Sequence, residues 1–271
     1  MDRNELENAL RQQCPTIGER VIAALEPCVV LEVAGIGDVA VGGSKLGGAP
    51  DMPKDMDWPA WEKGPLTFLA QIDLSALGVD TDLPSTGRLL FFADVDRCFG
   101  LYPEDRDGFR VMWTDAHVEP RPAPADVEEF ACGRLTPRPR VSIPPLGSRA
   151  VDLHDVDVPD EEADALEEIR EQWGVYETHQ LLGHAAFIQH PIEEEVVQAI
   201  HGCFSGSTRF DTDTWKRVEH ETADWRLLLQ IASDGKLDYM WGDAGLLYFA
   251  IRRDALERPD SGHAWYLFQS S

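Results

Sequence analysis

The sequence predicts an α+β fold: an internally duplicated, largely antiparallel β-sheet in a pseudo-twofold arrangement, with flanking helices. Three observations predict it. Two strand motifs recur almost in register, the strands are apolar on both faces, and helical periodicity appears at the N-terminus and between the two copies. The motif Leu66-Thr67-Phe68-Leu69-Ala70-Gln71-Ile72-Asp73, then Gly87-Arg88-Leu89-Leu90-Phe91-Phe92, is matched by Trp225-Arg226-Leu227-Leu228-Leu229-Gln230-Ile231, then Gly245-Leu246-Leu247-Tyr248-Phe249. Gln71 and Gln230 are 159 positions apart, Gly87 and Gly245 158. A weaker echo sets Lys45-Leu46-Gly47-Gly48-Ala49-Pro50 against Gln180-Leu181-Leu182-Gly183-His184-Ala185 at an offset of 135, so the second copy holds about two dozen extra residues before its Gln-Ile strand.

The elements follow in order. Leu6, Ala9 and Leu10 share a helical face, and Ile17, Val21, Ile22 and Leu25 resume the pattern after Pro15 breaks it. Val29 to Ala34 is a β-branched run ended by Gly35. Gly-rich turns at 42–48 and a Pro- and Trp-rich loop at 50–65 precede strands at 66–74 and 87–95, with another strand at 109–113. Prolines 120, 122, 124, 137, 139, 144 and 145 predict a long extended connection. From Pro159 a helix is expected, its first turn crowded with acids that favour the positive end of the helix dipole, and its inner stripe Ala163, Leu166, Ile169, Arg170 and Trp173. A second helix is expected at 193–204, followed by a loop and then by strands at 225–232, 245–251 and 264–269. The chain therefore reads as one domain: a helical lead (1–28), copy one (29–115), a Pro-rich and acidic connection (116–174) and copy two (175–271).

The 271 residues carry 49 acidic and 24 basic side chains, a formal charge of −25. That balance argues against nucleic acid or an anionic membrane as partner, because binding polyanions needs clustered Lys and Arg. Ten acids and one base lie between Asp152 and Glu171. Cys14, Cys28, Cys98, Cys132 and Cys203 are widely spaced, odd in number and without a C-x-x-C pair, which points to a reducing compartment. The N-terminus is charged where a signal peptide would be apolar, and no run of 18 apolar residues occurs. A cytoplasmic protein with no cofactor is expected.

Taken jointly, Lys45-Leu46-Gly47-Gly48-Ala49-Pro50, Trp58-Pro59, the 65–73 and 87–92 strings and Met240-Trp241-Gly242-Asp243-Ala244-Gly245-Leu246-Leu247-Tyr248-Phe249 resemble the YwqG-like bacterial domain of unknown function. The resemblance runs from about residue 30 to the C-terminus. It implies a duplicated α+β fold and no established activity, and some relatives are suspected immunity proteins encoded beside secreted toxins. This chain departs from the pattern where the second Gly-Gly-x-Pro turn has become Leu182-Gly183-His184-Ala185.

No catalytic constellation is legible. The Gly42–Gly48 stretch with Lys45 invites a phosphate, yet it lacks the order of a phosphate loop and no helix follows it. A tight turn is the simpler reading. His179, His184 and His190, with Glu177 nearby, have spacings that fit neither a helix face nor a strand face, so no metal is expected. Gln71 and Gln230, each in an apolar strand, are either core amides that pin a turn or ligand contacts where the copies meet. Trp58, Trp61, Trp241 and Asp243, in loops beside the repeated strands, either roof the core and cap its turn or build a pocket or protein-binding rim.

Two functions follow. The first is a non-enzymatic binding protein for a basic protein, an immunity protein among the options, using Asp160, Glu161, Glu162, Asp164, Glu167 and Glu168. The second is a small-ligand-binding protein or enzyme whose cleft between the copies is formed by Lys45, Trp58, Gln71, Gln230, Trp241 and Asp243.

Overall fold

A computed structural model describes residues 3–151, 153, 155–173, 178–203 and 212–270. Five helices are described: α1 (Arg3–Gln13), α2 (Gly18–Ala23), α3 (Asp160–Trp173), α4 (Ile192–Ile200) and α5 (Thr212–Thr222). The strands are β1 (Glu26–Ile36), β2 (Lys45–Leu46), β3 (Asp51–Met52), β4 (Ala60–Trp61), β5 (Gly64–Pro65), β6 (Thr67–Asp73), β7 (Arg88–Ala93), β8 (Phe109–Thr114), β9 (Glu119–Pro120), β10 (Gly133–Ser142), β11 (Gln180–Leu181), β12 (Trp225–Ala232), β13 (Leu246–Arg252) and β14 (Ala264–Gln269). Short β3–β9 and β4–β5 ribbons stand apart from a ten-stranded sheet of order β14-β13-β12-β11-β1-β10-β2-β6-β7-β8. Every adjacent pair in that sheet is antiparallel. Strand and helix together support the α+β class.

The predicted strands at 66–74, 87–95, 109–113, 225–232, 245–251 and 264–269 are all present, with ends shifted by a residue or two. Several elements differ from the sequence reading. The helix expected at 193–204 spans Ile192–Ile200, with residue 204 outside the described set, and the loop expected after it contains α5. The segment expected to be an extended connection carries β10, paired along its whole length with β1 at the centre of the sheet. Pro137 and Pro139 look wrong for a central strand because they cannot donate to a ladder. Leu135, of the same parity, sends its N–H to Ser44 O at 3.1 Å on the β2 side. The proline nitrogens therefore face that side too, beyond the point where the two-residue pairing with β2 ends. No ladder bond is lost.

The sheet curls into a nearly closed, barrel-like form in which its two edge strands meet. Val111 of β8 donates its N–H to Ser261 Oγ (2.8 Å), and that hydroxyl donates back to Val111 O (3.1 Å). The Arg106 guanidinium reaches the carbonyls of Ala264 and Ser261, and the Trp265 indole N–H reaches Gly100 O at 2.8 Å. Gly100, at φ +73°, lies where a Cβ would stand 1.7 Å from Tyr266 O, so only glycine permits this closure. Inside, Phe91 of β7 meets Phe249 of β13 at 5.0 Å between ring centroids, and Phe249 meets Tyr266 at 5.3 Å.

Alternation assigns each side chain to a layer. Leu89 and Phe91 face this interior, whereas Leu90 and Phe92 face outward into a second cluster with Met52, Leu66 and Phe68, covered in part by Trp58. The β12–β13 outer face is covered by α4 through Val196 and Val197. A third cluster gathers Leu6, Leu10, Ile17 and Val21 of the N-terminal segment with Leu166 and Ile169 of α3. Of the expected α3 stripe, Leu166, Ile169 and Arg170 are buried and Ala163 and Trp173 half-buried. Cys14, Cys28, Cys98 and Cys203 are buried and Cys132 half-buried; burial pushes the Cys28 and Cys98 thiols up to about 12. No helix among the described residues is long and apolar enough to cross a membrane.

Candidate functional site

The polar residues singled out by the sequence meet in two buried networks. In the first, register places Lys45 of β2 opposite Gln71 of β6. Gly47 and Gly48, at φ +60° and +64°, then turn the chain so that Asp51 returns over the pair. Asp51 Oδ2 accepts from Gly42 N–H (2.9 Å), Lys45 Nζ (3.0 Å) and Gln71 Nε2 (2.8 Å). Gln71 Oε1 accepts from Asp51 N–H (2.9 Å), and Gln71 Nε2 also donates to Gly43 O (2.8 Å). Lys45, Asp51 and Gln71 are 5 %, 1 % and 0 % exposed. Burial alone would raise the Asp51 carboxyl, but hydrogen bonds from Gln71, Gly42 and Lys45 outweigh it and hold that carboxyl below its usual range. The Lys45 cation and the Gly42 amide that a phosphate would need are engaged inside the fold.

The second network has the same backbone plan and different chemistry. Gln180 of β11 lies opposite Gln230 of β12. Leu182 and Gly183 turn at φ +60° and +76°, so the left-handed turn survives the loss of its first glycine. Gln230 Oε1 accepts Ala186 N–H (2.8 Å) and Nε2 donates to Thr178 O (2.8 Å). Gln71 likewise bonds the amide six positions after Lys45 and the carbonyl two before it. Gly47 N–H bonds Leu69 O and Leu182 N–H bonds Leu228 O, while both ladders slip at those acceptors, between Phe68 and Ala70 and between Leu227 and Leu229. Where the first network has Lys45 and Asp51, the second has Gln180 and Ala186, with no ion pair.

The remaining candidates are dispersed. Trp58 lies edge-on to Phe92 at 5.5 Å and donates its indole N–H to Leu66 O (2.9 Å) on the outer layer. Trp241 packs against Tyr239 (4.7 Å) and Phe130 (5.6 Å), and the Tyr239 hydroxyl donates to Leu69 O (2.6 Å). Asp243 is exposed on the turn that follows. The structure thus brings Lys45 to Gln71 but does not gather Gln71, Gln230, Trp241 and Asp243 into one cleft.

The histidines are likewise separate: His179 Nδ1 accepts Ala232 N–H (3.1 Å), His184 Nε2 donates to Ala24 O (2.7 Å), and His190 is exposed. Burial lowers the pKa of both His179 and His184. Glu177 lies outside the described residues, and among these no group of three His, Cys, Asp or Glu could hold a metal ion.

Comparison with known families is decisive at one level. The family described as a domain of unknown function, DUF1963, matches residues 44–269. The chain belongs to the DUF1963 family. No curated protein matches it. The matched span starts beside Lys45 and ends with β14, so it contains the side chains of both networks of this DUF1963 domain and leaves α1, α2, β1 and the Gly42–Gly43 backbone outside.

On α3 the acids divide by role. Glu162 is 6 % exposed, and its carboxylate accepts Thr16 N–H (2.9 Å), Thr16 Oγ1 (2.6 Å) and Ile17 N–H (3.3 Å), tying α3 to the start of α2. Glu167 pairs with Arg170 at 2.7 Å. Asp160, Glu161, Asp164, Glu168 and Glu171 are exposed, and Asp152 lies outside the described residues. Glu162→Ala is therefore expected to cost about 2–3 kcal/mol in a urea melt, the range for losing charged hydrogen bonds, while Glu168→Ala leaves the midpoint unchanged.

Sequence reasoning missed Asp51, the partner that closes the first network, and Glu162 as a tie between helices. A signal existed for the first, since an acid six positions past Lys45 across a Gly-Gly turn is placed to fold back. Nothing local marks the second.

Proposed function

We propose that this DUF1963 protein is a cytoplasmic, non-catalytic binding protein whose partner is a basic protein, received on the outward face of α3. The observation that carries the reading is the spacing of Glu161, Asp164, Glu168 and Glu171. Positions i, i+3, i+7 and i+10 share one helix face, all four are exposed, and none has a cation partner among the described residues. Leu166, Ile169 and Glu162 hold the opposite face against the N-terminal helices, so the stripe is rigidly presented. Such a surface speeds encounter with a basic partner and disfavours acidic ones. A secreted basic toxin is the partner class that the YwqG-like, bacterial resemblance favours, which makes the protein an immunity protein. The scaffold itself we read as a duplication with a pseudo-twofold axis through the β1–β10 pair. The matching glutamine bonds, turns and bulges, and the strand order outward from that pair, support it.

The test uses the product of the gene beside its own as probe. Binding is measured at low and physiological salt for the wild type and for a variant with Glu161, Asp164, Glu168 and Glu171 each replaced by Lys. Affinity is expected to fall about tenfold or more with either change. Unchanged affinity in the charge-reversed protein, or a neighbouring product that does not bind, overturns the reading.

A further inference from the structure

A cleft of about 340 Å³ opens beside the 238–242 turn, lined by no side chain of either buried network and by none of α3. Its wall carries apolar surface that the fold leaves uncovered: Phe99 is 42 % and Met240 64 % exposed. Asp96, Glu128 and Asp238 stand around it, exposed and without a cation partner among the described residues. Trp241, which lines the cleft, is 4 % exposed, and its buried indole N–H has no hydrogen-bond acceptor.

These features narrow the occupant. Aromatic and thioether surface beside carboxylates suits a cation with apolar substituents, because both the ring faces and the acids attract positive charge while the apolar parts lose water. A hard metal ion such as Ca²⁺ or Mg²⁺ gains nothing from Phe99 and Met240, and an anion is repelled by three carboxylates. The volume suits a small molecule.

We propose that this cleft binds a small organic cation with apolar substituents on or beside its ammonium or guanidinium group. The site is independent of the α3 docking face, and either can fail without the other.

The test titrates the full chain with choline and with arginine amide, read by saturation-transfer NMR and calorimetry. The neutral carbon isostere of choline and a short lysine-containing peptide serve as comparisons. At least one of the two cations is expected to bind at about 1 mM or tighter, with the uncharged isostere about tenfold weaker. The exposed pair Asp96→Asn and Asp238→Asn should weaken the cation about tenfold without affecting the fold. Absence of binding by both cations, equal binding of the isostere, or indifference to the two Asn substitutions overturns the proposal. So does tighter binding of the peptide than of either free cation, which would assign the cleft to a protein side chain.

Discussion

Lys45→Met is expected to destabilise the fold by about 3–5 kcal/mol, because removing one partner of a buried ion pair leaves the other charge uncompensated. Asp51 would keep its bonds from Gly42 and Gln71 but lose the cation 3.0 Å away, while remaining 1 % exposed. The second network supplies the rescue. Lys45→Gln combined with Asp51→Ala copies Gln180 and Ala186, leaving Gln71 able to bond the amide at 51 and the carbonyl of Gly43, as Gln230 bonds Ala186 and Thr178. The double variant should recover most of the loss in a urea melt. Lys45→Met unfolding no more easily than the double variant would show that the charge pair is not what the site requires.

The same pair sets an acid limb of stability. The Asp51 carboxyl is held below its usual value by hydrogen bonds and by Lys45 against the opposing effect of burial. A carboxyl depressed in the folded state contributes stability that is fully present above its unfolded pKa of about 3.9 and is lost as pH falls through the folded value. The wild type should therefore weaken below about pH 4, and the double variant should lack that share of the decline. Urea midpoints measured across this range give the comparison.

Phe249→Ala should cost a similar amount, about 3–5 kcal/mol, the usual range for a buried aromatic truncated to alanine. Phe249 is fully buried and touches Phe91 from the opposite half of the sheet and Tyr266 from the neighbouring strand. The loss should also be local in character. Amides at the seam where β8 meets β14, such as Val111 N–H on Ser261 Oγ, are expected to exchange faster with solvent, while those of the β1–β10 ladder still open only with global unfolding. Uniform acceleration across the sheet would mean that the curled halves do not open separately. Phe249→Leu, which keeps most of the volume, should cost much less.

The outer strands were legible because each carries its own signal. Runs such as 66–73 and 225–231 are apolar and strand-forming locally, and they recur at a nearly constant offset, so no knowledge of distant residues is needed to read them. The lead helices and α3 were legible for the same reason, through spacing and helix-start chemistry. The candidate residues Lys45, Gln71 and Gln230 were also visible as polar anomalies in apolar surroundings. What those residues touch was not. Gln71 reads first as a turn-pinning amide, with a ligand contact as the alternative, until Asp51 and Gly43 are seen bonded to it.

The sequence by itself determined the outer strands, the helices with strong periodicity and the net charge of −25, because these depend on composition and on neighbours along the chain. Only the tertiary structure decided that β10 runs through the centre of the sheet, since whether Pro137 and Pro139 are tolerated depends on the partner absent from one side of that strand. It also divided one acidic helix into a buried tie at Glu162 and an exposed stripe, and it set three carboxylates beside Phe99 and Met240. Each of these turns on which segments far apart in sequence become neighbours, and an amino-acid order carries that information only through the packing of the whole chain.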